Sequence, residues 1–405
     1  MFPSFLHPRR QTFSRSSLHT FKANTQLIIA TESAGGATIR LYNPSTTLPD
    51  AMWPVALGFA GLFGVSQASR YQISKNYSGP DFFDQFDFFS DPDPTHGFVK
   101  YQDLAGANST GLAGFASNDV FQNMIYLGVD SSNVAPSGRQ STRIQSKDVF
   151  NQSLHIADIM HMPGGICGSW PAYWLVGPQW PDDGEIDIME GISLQPVNKM
   201  VLHTKAHVTM SNISDPSVAN ATHMQMRGTF TSLDCSAEIS GDPGCAASGA
   251  NNSFGTAFND NGGGVLATEY GPQWISIWNF ARSEIPSDAF SGSPDPETWR
   301  APDAHFMAAD GSLLSEYFSN LMVVINTALC GDWTDGDWAS SECASLAPTC
   351  QDYVANNPQA FKDAYWLIGG IQVYEPVIGG SNITDGLYAS AKHRGHVPRA
   401  PTGRP

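Results

Sequence analysis

The sequence predicts an all-β domain, an antiparallel sandwich or barrel. Short runs of alternating apolar and polar residues recur between clusters of Gly, Pro, Asn and Asp, and we find no long helical period and no internal repeat. The 405 residues include 38 Gly and 27 Pro, which makes the chain rich in turn formers. With 41% hydrophobic and 15% charged residues the chain can bury a large core, and all-β domains of this length commonly stay undivided.

The alternating runs mark the expected strands, because side chains along a half-buried strand point alternately to core and solvent. In chain order these runs occupy residues 141–147, 154–160, 185–189, 200–204, 265–269, 274–280, 321–327 and 370–374. Helical candidates are brief, and one covers residues 348–362 around a Cys-rich loop. The sequence therefore predicts many short strands and little helix.

The two ends of the chain differ in composition from its middle. Residues 1–51 carry five Lys or Arg and two acidic residues; we expect a non-native or disordered extension, with a mitochondrial transit peptide as the alternative. Residues 52–69 combine an initial Met52, a short apolar run and a small-residue end, which is typical of a secretory signal peptide; a buried strand or helix at 54–66 is the alternative. Residues 377–405 are predicted to be a disordered tail.

Cysteines and glycosylation motifs agree with a secreted, extracellular or cell-wall protein. The six cysteines form an even set without a CxxC spacing, which favours disulfides over zinc. Six cysteines allow 15 pairings, and Cys235 with Cys245 is a plausible local bridge. Seven Asn-x-Ser/Thr sequons occur, at Asn76, Asn108, Asn151, Asn212, Asn220, Asn251 and Asn382.

The net charge of −17 argues against two classes of partner. An acidic surface repels phosphate backbones and anionic lipids, so we expect neither nucleic-acid nor membrane binding. The apolar run within 52–69 is shorter than the roughly 20 residues of a membrane-spanning helix, so no membrane anchor is expected. We expect the protein to act as a monomer.

The segment WPAYWLVGPQWPDDGEIDIMEG at 170–191 carries the strongest chemical signal. In a regular strand Glu185 and Asp187 share one face and Glu190 points to the other. If one extra residue bulges out near Ile188–Met189, Glu190 joins the face of the other two acids. A surface strand with solvated charges is the alternative interpretation.

Three acids on one face repel one another, and retaining glycoside hydrolysis is a reaction that would explain such an arrangement. That reaction needs two carboxyl groups about 5–5.5 Å apart across the scissile bond. An intervening Asp187 can hydrogen-bond to one of them, and as a like charge it can keep the acid protonated near neutral pH.

The segment GEIDIME at 184–190, preceded by SWPAYWL at 169–175, resembles the catalytic signature of glycoside hydrolase family 16, in particular that of the fungal laminarinase-type endo-β-1,3(4)-glucanases. Further matching segments include HMPGGICG at 161–168, NGGGVLATEY at 261–270 and WNFARSEIP at 278–286. The resemblance implies a β-jelly-roll, concanavalin A-like sandwich with a concave substrate cleft. Residues 70–376 would then form the catalytic domain.

By this resemblance Glu185 is the nucleophile, Asp187 the assisting acid and Glu190 the general acid/base of a double displacement with net retention. No cofactor or metal is implied, because carboxylates carry the whole reaction. The expected function is endo-hydrolysis of β-1,3 or mixed β-1,3/1,4 glucans. Transfer of the glycosyl group to another sugar chain, or carbohydrate binding without catalysis, are the alternatives.

Six further side chains are candidates for substrate contact: Trp170, Trp174, Asn198, His203, Tyr270 and Trp278. In the family the first Trp stacks on a sugar and the His lies beside the acid/base. Trp174 and Trp278 are equally well explained as core residues. Tyr270 stands where the family often has Trp, which would alter one sugar subsite.

Overall fold

Two large antiparallel sheets make up most of the computed structural model, which describes residues 71–117, 122–205, 207–217, 225–238 and 244–377. The predicted extension at 1–51, the signal peptide at 52–69 and, apart from Val377, the predicted tail lie outside the described residues. Contacts divide the chain into Met1–Val65, which is outside that set, and Ser66–Pro405, which holds every described residue. None of the described helices is long and apolar enough to cross a membrane.

Strands dominate the described part of the chain, as expected. They are β1 Tyr71–Tyr77, β2 Phe86–Phe88, β3 Val99–Tyr101, β4 Ala113–Ala116, β5 Met124–Gly128, β6 Arg139–Ser141, β7 Arg143–Ser146, β8 Ser153–His161, β9 Ser169–Val176, β10 Glu185–Glu190, β11 Lys199–His203, β12 Thr229–Ser232, β13 Cys245–Ser248, β14 Gly264–Tyr270, β15 Trp274–Ala281, β16 Ala304–Met307, β17 Met322–Leu329 and β18 Tyr365–Pro376.

Helices are short and lie in the connections. The α-helices are α1 Leu104–Ser109, α2 Gly255–Asp260, α3 Asp332–Trp338 and α4 Cys350–Asn356. Single 3-10 turns occupy Phe83–Gln85, Arg282–Glu284, Pro296–Thr298, Leu314–Glu316, Glu342–Ser345 and Pro358–Phe361. The predicted helix at 348–362 therefore corresponds to α4 and the 3-10 turn that follows it.

The sheet topology confirms the predicted antiparallel sandwich. One sheet, called here the outer sheet, has the strand order β16-β15-β14-β8-β18-β5-β4, and β1 also pairs with β18. The second, called here the cleft sheet, has the order β12-β13-β11-β10-β9-β17-β7-β2. A small parallel pair, β3 with β6, lies apart from both.

All eight runs predicted from alternation overlap strands of the two sheets. Strand β9 was not predicted, because aromatic residues on both of its faces and Pro171 conceal the alternation. Pro171 is tolerated there because the pairing of β9 with β10 begins only at Ala172. Missed strands such as β2 and β12 have only three or four residues, too few for a period to be visible.

Apolar side chains from both sheets form the main core between them. Ile159 and Leu266 of the outer sheet and Leu175, Ile186 and Ile325 of the cleft sheet belong to one buried cluster. Burial of each such side chain stabilises the fold by about 1.5–3 kcal/mol. Because Ile186 points into this core, its neighbours along β10 must point to the opposite face of the cleft sheet.

Three disulfides use all six cysteines, and the predicted Cys235–Cys245 bridge is confirmed. Cys167 bonds to Cys343, and Cys330 bonds to Cys350, so two bridges join the segments around β9 and β17 to the helical region that contains α3 and α4. A second buried cluster, which includes Trp338 and Val354, packs around these two bridges. The bridges therefore tie a loop-rich segment to one end of the cleft sheet.

Removal of the Cys167–Cys343 bridge should destabilise the protein more than removal of Cys235–Cys245. The first closes a loop with a sequence separation of 176 and the second one of only 10. On loop-closure entropy we expect losses of about 5 and about 3 kcal/mol. Denaturant unfolding of the paired Cys→Ala variants measures both, and a larger loss for the short loop would contradict the expectation.

Candidate active site

A cleft with a volume of about 1020 Å³ lies on the face of the cleft sheet that points away from the core. Its floor is made by side chains of β7, β9, β10, β11 and β17, and its rim by the loop at 93–95, Trp180 and the start of α3. Glu185, Asp187 and Glu190 all line this cleft. The three acids therefore share one face.

A β-bulge in β10 brings the third acid to that face. Against β9, Asp187 pairs with Trp174 and Met189 with Tyr173, so one extra residue is inserted in β10. Against β11, the register shifts between Asp187 and Glu190. Ile188 and Met189 are both buried in the main core, and the next residue therefore returns to the cleft. Of the two arrangements that the sequence left open, the structure has the bulged one.

Asn198 fills the gap that the bulge leaves in the hydrogen-bond ladder. Its Oδ1 accepts a hydrogen bond from the Glu190 amide at 2.9 Å, and its Nδ2 donates to the Ile188 carbonyl at 2.8 Å. The Asn198 amide in turn donates to Ser253 Oγ. The side chain is 1% exposed, so it supports the bulge from below and does not reach the cleft as a substrate contact.

Burial and mutual repulsion raise the pKa values of two of the acids. Burial first, and then the Asp187 charge, raises the pKa of Glu190 to about 7, while hydrogen bonding from Trp170 and the charges of Lys199 and His203 act in the opposite direction. The pKa of Glu185 lies well above its usual range for the same two leading reasons. The side chain of Asp187 also raises the pKa of Glu185 through its close approach.

His203 lies beside the acids, on the neighbouring strand β11. It pairs with Glu185 in the strand register, and its Nε2 lies 3.4 Å from Asp187 Oδ2. Glu185, Asp187 and His203 each bring one potential ligand atom within 4.8 Å of the others. Such a set could hold a cation, and the strand register alone already places these three side chains next to one another.

Trp170 holds the carboxyl group of the third acid. Its Nε1 donates a hydrogen bond to Glu190 Oε1 at 2.8 Å. Trp333, at the start of α3, packs edge to face on Trp170 with ring centroids 5.6 Å apart. Glu190 therefore has a fixed direction in the cleft, because its indole partner is itself held in place.

A second aromatic group forms the part of the floor built by β9, β17 and β7. Trp174 donates through Nε1 to Asn326 Oδ1 at 2.8 Å. The Arg143 guanidinium lies between the rings of Phe89 and Trp174, 4.5 and 5.0 Å from their centroids. Among the described residues the buried Arg143 Nε has no hydrogen-bond partner, and the Arg143 side chain lines the cleft.

Besides Asn198, two more of the candidate substrate-contact residues are not brought to the cleft. Tyr270 is buried in the main core between the sheets, where its hydroxyl donates to the Phe318 carbonyl. Trp278 belongs to a third buried cluster on the outer sheet, packs against Trp299 and donates to the Arg300 carbonyl. Both side chains belong to strands of the outer sheet, whereas the cleft lies on the other sheet.

The cleft also contains residues that the sequence analysis did not single out: Trp180, Lys199, Asn326 and Trp333. Trp180 precedes Glu185 by five residues in the same motif, and its side chain is largely exposed. Lys199 pairs with Glu190 across the strands, a relation that appears only once the bulge is counted. Nothing in the sequence close to Trp333 indicates that this residue lies near the acids in the folded chain.

The chain is similar to a known family and to several known proteins. Residues 86–374 match the family model described as the XgeA-like catalytic domain of glycoside hydrolase family 16. A probable endo-1,3(4)-β-glucanase of Aspergillus fumigatus is 41% identical over 317 residues, 76% of this chain and 46% of that protein. The endo-1,3(4)-β-glucanase of Arthroderma benhamiae is 41% identical over 76% of this chain and 65% of its own length. The chain thus spans about half the length of several curated relatives.

Solved structures with the same fold include two kinds of enzyme. An elongating family 16 β-1,3-glucosyltransferase is 39% identical, with a TM-score of 0.67 over 75% of this chain and 100% of that one. Laminarinase 16A of Phanerochaete chrysosporium, solved with 6-O-glucosyl-laminaritriose in its donor and acceptor sites, is 34% identical, with a TM-score of 0.67 over 75% of this chain and 99% of its own. The jelly-roll expectation is confirmed.

Asn198→Ala should lower kcat with little change in KM. Loss of both hydrogen bonds to the bulge lets Glu190 move, and misplacement by about 1 Å can cost about 100-fold in rate. Asn259 is a matched control, because it also accepts from and donates to one backbone segment, at Met162, outside the cleft. Both Ala variants should lose about 1–3 kcal/mol of stability. Equal kcat values for the two variants, measured on a soluble glucan, would contradict the role of Asn198.

Proposed function

This chain belongs to glycoside hydrolase family 16, and on that premise we propose that it is an endo-β-glucanase that cleaves β-1,3 or mixed β-1,3/1,4 glucans with net retention. The observation that carries the proposal is the bulge in β10, which aligns Glu190 with Glu185 and Asp187 in one cleft. The glucanase names of relatives at about 40% identity support the substrate class.

Two of the acids divide the reaction between them. The Glu185 carboxylate attacks the anomeric carbon while Glu190 donates its proton to the glycosidic oxygen, and the leaving chain departs. Glu190, now ionised, removes a proton from water, which attacks the same carbon and releases Glu185. A pKa of about 7 suits this double role, because both forms of Glu190 are well populated near neutral pH.

His203 favours the working, ionised form of the nucleophile. Glu185 must be a carboxylate to attack the anomeric carbon, and the charge of Asp187 acts against that form. The neighbouring imidazole lowers the pKa of Glu185 and thereby favours that form.

Aromatic rings supply surfaces for the sugar chain. Trp170, Trp174 and the largely exposed Trp180 line the same cleft as the acids, and indole rings pack well on the apolar faces of sugars. We propose that these three rings, together with Arg143 and His203, contact the glucan. Since one chain supplies all of these groups, the protein can act as a monomer.

Secretion is part of the proposal. Three disulfides support an oxidising compartment, in which such bonds form and persist. An extracellular glucanase meets its polymeric substrate directly. The sequons among the described residues, such as Asn76 and Asn151, are the proposed glycosylation sites.

Glu185→Gln and Glu190→Gln should each abolish most of the turnover of laminarin and lichenan. An amide neither attacks the anomeric carbon nor transfers the proton, and loss of the acid/base alone costs about 100- to 10,000-fold. Reducing-end assays measure the rate, and NMR of the first product gives its anomeric configuration.

Asp182→Asn is the matched control, because Asp182 lies in the same motif but is exposed and pairs with Lys205. This variant should retain wild-type turnover, and all three should unfold near the wild-type temperature. Full activity in either Gln variant, or an inverted first product, would defeat the assignment.

Transfer to a sugar acceptor is the second candidate function. It shares the first step with hydrolysis, and the 39% identity to an elongating β-1,3-glucosyltransferase supports it. The difference lies only in whether water or a sugar hydroxyl attacks the glycosyl-enzyme.

A labelled laminari-oligosaccharide offered together with laminarin separates the two functions. We expect hydrolysis to dominate, since the relatives of similar identity are named as glucanases. Reducing ends should then rise steadily while little label enters long products. Predominant label in long chains, without a rise in reducing ends, would reverse the order of the two candidates.

A further inference from the structure

Lys199 is a cation in the middle of an acidic cleft, and it has no acidic partner there. It lies opposite Glu190 in the register of β10 and β11 and lines the same cleft. Among the described residues no carboxylate is in ion-pair contact with its ammonium group. Its Nζ lies instead 4.5 Å from the centroid of the Trp333 ring.

A series of contacts links Lys199 to Glu190, the third acid, through two tryptophan rings. Lys199 lies over Trp333, Trp333 packs edge to face on Trp170, and Trp170 donates a hydrogen bond to Glu190. The ammonium is attracted to the negative face of the indole, an interaction that does not consume its charge. Lys199 is therefore held near Glu190 without a direct pair.

The lack of a direct ion pair between Lys199 and Glu190 matters for an acid/base residue. A direct ion pair would hold Glu190 as a carboxylate, which cannot donate a proton. Complete absence of a nearby cation would leave Asp187 unopposed and hold Glu190 in the protonated form, which cannot activate water. A cation kept at intermediate range permits both forms.

We propose that Lys199 is a positioning residue for the acid/base, an electrostatic counterweight to Asp187 that Trp333 restrains from pairing directly with Glu190. This inference rests on the proposed function, because it concerns how Glu190 works within that reaction. It adds Lys199 and Trp333 to the groups that determine the pH range of the enzyme.

Other charged groups also surround Glu190. Glu185 and Asp187, on its own strand, act against ionisation, and His203 on β11 acts in the same direction as Lys199. The remaining walls of the cleft contribute Asp93, Arg143, Asp332 and Asp337. Of the cations, Lys199 is the one whose strand position is directly opposite Glu190.

The test is the alkaline limb of kcat/KM against pH, which reports loss of the proton from the free-enzyme acid. In the wild type this limb should fall near pH 7, because the pKa of Glu190 is about 7. Lys199→Met removes a charge that lowers this pKa, so the limb should move upward by about half a pH unit or more. Lys199→Gln should do the same, and Lys199→Arg should retain the wild-type limb.

Trp333→Leu should move the limb in the opposite direction. Without the ring, the ammonium can approach and pair with Glu190, which lowers its pKa and reduces kcat at neutral pH. In the double variant Lys199→Met with Trp333→Leu the limb should return to the position of Lys199→Met. If the alkaline limb is still shifted downward in the double variant, Trp333 acts without Lys199. That result would contradict the proposal that Trp333 restrains Lys199.

Lys205→Met is the matched control for loss of a lysine charge. Lys205 lies just beyond β11, is exposed and pairs with Asp182, so this change should leave the limb in place. An unmoved limb in both Lys199→Met and Lys199→Gln, with an active wild type, would overturn the inference alone. An inactive wild type, or an active Glu190→Gln, would instead remove the proposed function on which the inference rests.

Discussion

The repulsion between three carboxyl groups on one face of a single strand is the constraint on which the rest of the site depends. Glu185, Asp187 and Glu190 can share the cleft only because β10 contains one extra residue. The bulge leaves backbone groups without ladder partners, and Asn198 supplies both the donor and the acceptor that they need. The acidic cluster is thus held in place by a neutral side chain beneath it.

Side chains of the neighbouring strands contact the acids and influence their charges. A hydrogen bond from Trp170 fixes Glu190, His203 lies against Asp187, and Lys199 faces Glu190 from the next strand. None of these groups belongs to β10. Burial raises the pKa of Glu190, while the hydrogen bond from Trp170 and the charges of Lys199 and His203 lower it, and the resulting value is about 7. The protonation state of this acid therefore depends on the surrounding strands.

The floor and one wall of the cleft are built by different means. The floor consists of strands whose other faces pack into the main core, so its geometry follows from the sandwich. The wall that carries Trp333 lies in a loop-rich segment, which the Cys330–Cys350 and Cys167–Cys343 bridges attach to the cleft sheet.

Local pattern alone determined the all-β class, the eight longer alternating strands and the acidic motif, and it left open whether a bulge near Ile188–Met189 brings Glu190 to the face of the other two acids. These features depend on residues close together in the chain, which is why a single sequence reveals them. Only the tertiary structure decided which side chains meet across strands. It placed Asn198 beneath the bulge, brought Lys199 and Trp333 to Glu190, and buried Tyr270 and Trp278 in the outer sheet. Periodicity tells which face of a strand a residue occupies, but sheet order and long-range pairing decide what that face touches.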